Sequence, residues 1–187
     1  MLGMTDRRRA LARAAWRTVT SREIYTNPWM RLREDIAEMP DGRTTLYGVV
    51  ECQPAIGVLP FLDDGSVVLV GQYRYVARDF YWEIPTGGMR TGESEEAAAQ
   101  RELAEEAGYE AARLVKLCTI HTSKSIMDET AHLYRADGLR PALSDGDDTE
   151  FIEVKAFPFD EVVRMVETSE IRDAMTVVAV LHAARLR

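Results

Sequence analysis

The chain has 187 residues, 46% hydrophobic and 29% charged, with 31 acidic against 23 basic side chains and a formal net charge of −8. That composition is ordinary for a globular protein with one well-buried core, and the acidic balance argues against a broad electrostatic footprint for nucleic acid. No apolar run approaches the roughly 18 residues that cross a bilayer, so no membrane role is expected.

The start, "MLGMTDRRRALARAAWR", is basic without the uninterrupted apolar stretch of a secretory signal, and residues 1–20 read as a tail. "MRLREDIAEM" and "TTLYGVVEC" read as strands joined by the turn "PDGR" at 40–43, an N-terminal β arm or small subdomain over 21–52. "AIGVLPFL" and "SVVLVGQYRYV" repeat the pattern around "DDG" at 63–65. Residues 95–107 predict a helix, with Ser94 as its N-cap and Gly108 at the C-terminal position that favours glycine. The next strands are "RLVKLCTIH", "TAHLYRAD" and "EFIEVKAF". A helix is expected to start near Pro158, and a last one near Arg172, with Val177, Val178, Leu181 and Ala184 as its apolar face. Strands before, between and after helices imply a mixed α/β (α+β) domain over 53–187.

Cys52 and Cys118 are far apart and form no CxxC pair, so they read as small buried hydrophobes in a reducing, cytoplasmic compartment. His121 and His132 are 11 residues apart and receive no metal role.

The chemistry concentrates in the 95–107 helix. Glu102 and Glu106 are i, i+4 neighbours with Glu105 beside them, while Ala99, Leu103 and Ala107 form an adjacent apolar row. Three carboxylates at the edge of a buried face are expected to converge on one point, an oxygen site for Mg²⁺ or Mn²⁺. Arg101 can orient Glu93 by a charge-assisted hydrogen bond. The preceding "IPTGGMRTGE" carries Gly87, Gly88 and Gly92, which permit tight bends and close approach to a ligand.

Gly87, five residues, Glu93, seven residues and "RELAEEAGY" at 101–109 resemble the Nudix box at every fixed position. The resemblance implies the Nudix fold, a mixed sheet sandwiched between helices, and metal-dependent hydrolysis of a nucleoside diphosphate linked to another moiety. By position, Glu102, Glu105 and Glu106 resemble the metal-binding glutamates, the Thr86 carbonyl a backbone ligand, and Glu93 with Arg101 the pair that supports the loop. Glu129, in "HTSKSIMDETAHLY", is the expected general base, with Glu105 as the alternative.

"VGQYRY" at 70–75 and "WEIPTGG" at 82–88 resemble the members that hydrolyse ADP-ribose and nucleotide sugars, with Arg74 and Glu83 at substrate-contacting positions. "NPWMRLREDIAEMPDGR" resembles their N-terminal strands, which complete a homodimer, and Trp29 could stack on the base. One departure stands out. Lys124 and Ser125 occupy the places of Pro and Gly in the Ser-Pro-Gly of ADP-ribose enzymes, which points toward nucleoside diphosphate sugars, with Lys124 near a phosphate or sugar hydroxyl. The rival reading is a Nudix-fold sensor that binds nucleotide sugars without cleaving them. An intact box favours the enzyme.

Overall fold

A computed structural model describes residue 9, residues 11–142 and residues 151–186. The chain forms two compact units: one comprises the residues up to Cys52 together with Ser123–Asp128, the other Gln53–Thr122 together with the residues from Glu129 onward.

The first unit is an antiparallel meander of β1 (Arg17–Thr26), β2 (Met30–Glu38) and β3 (Thr44–Cys52), in that order. Its predicted turn at 40–43 forms as read: Gly42 takes φ 86°, and the Asp41 carboxylate accepts from the Arg43 amide at 3.1 Å. Cross-strand ion pairs fix the β1–β2 register, Arg17 with Glu38 at 2.7 Å and Arg22 with Glu34 at 2.8 Å. Strand β1 was not expected. Part of it lies in the stretch read as a tail, and all ten residues are exposed, so it carries no buried alternation to betray it. The segment 123–128 pairs along β3, Val50 N–H donating to the Ile126 carbonyl at 2.8 Å and the Cys52 amide to Asp128 Oδ1 at 2.9 Å.

The second unit holds two sheets. One has the order β7 (Thr86–Gly88), β4 (Ala55–Pro60), β9 (Thr130–Pro141), β8 (Tyr109–His121); the other has β10 (Glu153–Phe157), β5 (Val67–Arg74), β6 (Asp79–Glu83). The β4–β9 pair is parallel and the remaining pairs antiparallel, which makes the sheet mixed. Strand β4 is buried along its whole length, because both faces are covered. Ala55 and Leu59 join a core with β5, α2 (Phe159–Glu167) and α3 (Ala174–Arg185). Ile56 and Val58 join a second core with Ala98, Ala99, Leu103 and Ala107 of α1 (Glu95–Ala107). The sheet therefore lies between helices, as expected.

Two short strands, β6 and β7, were missed. They flank a chain segment that leaves one sheet and enters the other within Glu83–Thr86, too short for a period to register. The buried face of α3 is shifted from the reading: Met175, Thr176, Ala179, Val180 and Ala183 face inward, Val177, Val178 and Ala184 are half-buried against the same core, and Leu181 is 41% exposed. Apolar residues run nearly all round this helix, so the neighbouring stripes could not be separated by composition. Cys52 and Cys118 are half-buried rather than buried.

Candidate active site

Helix α1 forms where it was read. Ser94 Oγ accepts from the Ala97 amide at 3.2 Å, and Gly108 closes the helix at φ 72° with its N–H on the Leu103 and Ala104 carbonyls. Its apolar row packs against β4 and β5, and this packing takes Glu102 and Glu106 into the buried face with it. Glu105, one position round, stays half-buried.

Arg101 organises the carboxylates. Its Nε and Nη2 donate to the two Glu93 oxygens at 2.8 and 2.9 Å, a bidentate fork. Nη1 reaches Glu102 at 2.6 Å and Glu105 at 3.0 Å, and Nη2 also donates to the Gly88 carbonyl at 3.0 Å. Glu93 accepts in addition from the Arg90 amide at 2.9 Å, and Arg90 Nη2 meets Glu105 at 3.2 Å. The Arg101 hydrogen bonds, chiefly, hold the Glu93 carboxyl down at about 2, against an ordinary value of 4.5. Glu93 correspondingly holds the guanidinium above its usual range.

Glu106 points elsewhere: its Oε2 accepts from the Thr86 amide at 2.7 Å. Glu102 and Glu105 thus take hydrogen bonds from Arg101, and Glu106 takes one from the Thr86 backbone. Among the described residues no group of three carboxylate, imidazole or thiolate side chains is already gathered as a cation cage. Gly87 shows how tightly the loop is drawn in. A Cβ there would overlap the Glu102 carboxylate, which would have to shift to make room.

The Glu83–Thr86 segment is pinned at each residue. Glu83, 4% exposed, takes a forked pair from Arg74, whose Nε lies 3.1 and 3.0 Å from its two oxygens, and Nη2 also donates to it. Burial works against the Arg74 charge, and the Glu83 hydrogen bonds, with Glu106 and Asp173 nearby, more than offset it. The Ile84 amide donates to Thr176 Oγ1 at 3.0 Å, and the Pro85 carbonyl accepts from Val58 N–H at 3.0 Å. Arg74, Tyr81, Glu83, Thr86, Arg172 and Asp173 contribute to the wall of an open cleft of ≈ 380 Å³. At its rim Arg172 covers the Tyr81 ring at 5.0 Å and pairs with Asp79 at 2.7 Å.

The structure thus brings Glu93, Arg101, Glu102, Glu105, Glu106 and Thr86 together, and places Arg74 and Glu83 against each other. Glu129 opens the chain into β9, half-buried, and its carboxylate makes no hydrogen bond or ion pair among the described residues. Trp29, 79% exposed, and Lys124, exposed, belong to the first unit. His132 sits within reach of Lys116, Thr119 and Glu95, and burial pushes the Cys118 thiol up. Arg90, Tyr81, Arg172, Asp173 and Thr176 join the site without having been among the residues expected from the sequence. The signal for the last two was present in "DAMT", an aspartate three residues before a threonine at a helix start.

Residues 52–177 match the family described as NUDIX domain, and residues 16–50 the one described as nucleoside diphosphate sugar hydrolase N-terminal domain. An ADP-ribose pyrophosphatase of Bacillus subtilis (strain 168) is 31% identical over 168 residues, 89% of this chain and 91% of that protein. A methanol dehydrogenase activator of Bacillus methanolicus is 32% identical over 168 residues, with the same two shares. The crystal structure of an ADP compounds hydrolase shares the fold, with a TM-score of 0.83 at 21% identity over 92% of this chain and 94% of that one.

Proposed function

The chain belongs to the Nudix hydrolase family, and on that premise we propose that it cleaves the diphosphate bond of ADP-ribose or a nucleoside diphosphate sugar. The products are a nucleoside monophosphate and a sugar phosphate. The observation that carries the reading is the Arg101 hub, which holds Glu93, Glu102, Glu105 and the Gly88 carbonyl around a loop whose Gly87 lies against a carboxylate. The relatives' names and the N-terminal family match support the substrate class.

Nudix hydrolases generally work with divalent metal, and the residues here fit one: Glu102, Glu105, Glu106 and the Thr86 carbonyl are an all-oxygen donor set suited to Mg²⁺ or Mn²⁺. When bound, such ions neutralise diphosphate charge and lower the pKa of a coordinated water. Glu129 takes the proton of the attacking water, and no cation among the described residues pairs with its carboxylate; Glu105, already engaged by Arg90 and Arg101, is less available. Arg74 contacts a phosphate or ribose oxygen from the cleft, steadied by Glu83. Trp29 stacks on the base and Lys124 meets a phosphate or sugar hydroxyl. Two copies associate through residues 21–52 together with the start of β1, where Val19, Ile24 and Tyr25 are 43 to 52% exposed. Two cysteines far apart in the chain, with no CxxC pair, accord with a cytoplasmic location.

A panel of ADP-ribose, ADP-glucose, GDP-mannose, UDP-glucose and ATP with Mg²⁺ or Mn²⁺ tests the assignment. Turnover of ADP-ribose or a nucleotide sugar with ATP a poor substrate is the expected result. Fastest turnover of ATP contradicts the substrate class, and binding of nucleotide sugars without products makes the protein a sensor.

A further inference from the structure

We infer that Thr176, oriented by Asp173, is a positioning residue for the reaction proposed above, a reading on which this inference rests. It acts through the Glu83–Thr86 segment. One end of that segment carries the Arg74 partner Glu83, and the other carries Thr86, whose amide is bound to Glu106. Between them Pro85 has no N–H and is held only through its carbonyl, by Val58, so the Ile84 amide is the one donor that the middle of the segment itself supplies.

That amide has left the strand ladder and is buried with its residue, which is 0% exposed. Its partner is Thr176 Oγ1 at 3.0 Å, 92 positions later in the chain and also 0% exposed. The threonine hydroxyl donates to Asp173 Oδ2 at 2.7 Å, which turns its lone pairs toward Ile84. Asp173 Oδ2 accepts the Thr176 amide as well, at 2.8 Å, as the N-cap of α3. The cap needs only that backbone amide, which any residue but proline would supply. The hydroxyl is surplus to capping and serves the segment. Packing fixes the same point: the Ile84 and Met175 side chains meet over Gly57, where a Cβ would come within 3.0 Å of both.

Removal of the hydroxyl leaves a buried N–H without a partner, and Ile84 must shift. Glu83 and Thr86 are its neighbours on either side, so both ends of the site move with it.

The test uses the full chain with Thr176→Val, Thr176→Ser, Asp173→Ala and, as a control, Val180→Ala in the buried face of the same helix. Measured are kcat and KM for ADP-ribose with Mg²⁺, melting temperature, and Mn²⁺ affinity without substrate by electron paramagnetic resonance. Thr176→Val should lower kcat on the order of 10- to 100-fold and weaken Mn²⁺ binding, with KM changed much less. Thr176→Ser should restore both to within about threefold, as a shorter side chain with the same hydroxyl. Asp173→Ala should fall between them. Val180→Ala should lose melting temperature and keep kcat and Mn²⁺ affinity. Wild-type kcat in Thr176→Val, or losses in Thr176→Val and Val180→Ala that follow melting temperature alone, overturns the inference. If Thr176→Val does not fold, Asp173→Ala decides, and wild-type kcat and Mn²⁺ affinity there overturn it. A wild-type protein inert toward ADP-ribose and nucleotide sugars defeats the proposed function instead, and Mn²⁺ affinity alone then settles whether Thr176 positions the loop.

Discussion

Arg101 is the residue on which the box geometry most depends, because one guanidinium serves three carboxylates and a carbonyl. Its side chain is 15% exposed and that of Glu93 13%, so removing either partner strands a poorly solvated charge. Arg101→Ala should cost about 3–5 kcal/mol of stability as well as activity. Arg101→Lys should recover only part of it, since an ammonium cannot reproduce the fork; denaturant melts of both variants check this. The Glu93 carboxyl gives the same pair a pH signature. Its pKa is depressed on folding, from 4.5 to about 2, so the stability it contributes is complete above the unfolded value and is lost as pH falls through the folded one. The gap in unfolding free energy between wild type and Glu93→Gln should be widest near pH 6 and close as pH approaches 2. A gap that does not change across that range would mean the pair is not linked to folding. Glu106→Gln separates structure from metal binding, because an amide oxygen can still accept from the Thr86 N–H. The metal-free variant should stay within about 0.5 kcal/mol of wild type, while its rise in melting temperature with Mn²⁺ should shrink.

At the scale of elements, α1 was legible because every local signal agreed: a serine cap, alanine-rich propensity, glycine at the end and acids spaced by three and four. The capping geometry predicts its own costs. Ser94→Ala should destabilise by about 1 kcal/mol, and Gly108→Ala, which puts a Cβ on a residue at φ 72°, by about 1–2 kcal/mol. Gly87→Ala should act on the site more than on stability: its Cβ displaces the Glu102 carboxylate, and Mn²⁺ affinity should fall. What the sequence did not disclose were contacts between distant segments. The spacing put three glutamates on one face, but that Glu106 turns to Thr86 and Glu102 to Arg101 depends on where the loop 86–93 returns. The Arg74–Glu83 fork depends on the β5–β6 register, which pairs Arg74 with Asp79 and Val70 with Glu83. Strand β1 escaped because none of its residues is buried, and the face of α3 because nearly every residue is apolar.

For the whole molecule, the division into two units separates the assignments. The box, Arg74, Glu83 and Glu129 belong to one, Trp29 and Lys124 to the other, with the segment 123–128 hydrogen-bonded to β3. A homodimer built on the first unit should be sensitive at β1. Ile24→Glu, at a position 47% exposed, should leave the monomer fold intact and shift sedimentation toward the monomer. The central claim, hydrolysis at the diphosphate bond, is most directly tested by phosphorus NMR of ADP-ribose incubated with the protein and Mg²⁺ in ¹⁸O-labelled water. The account predicts that the paired diphosphate resonances give way to those of AMP and ribose 5-phosphate, one of the two carrying the isotope shift, and that Glu102→Gln largely abolishes the change. Persistence of the diphosphate resonances with wild-type protein, or new resonances without incorporated label, would contradict it.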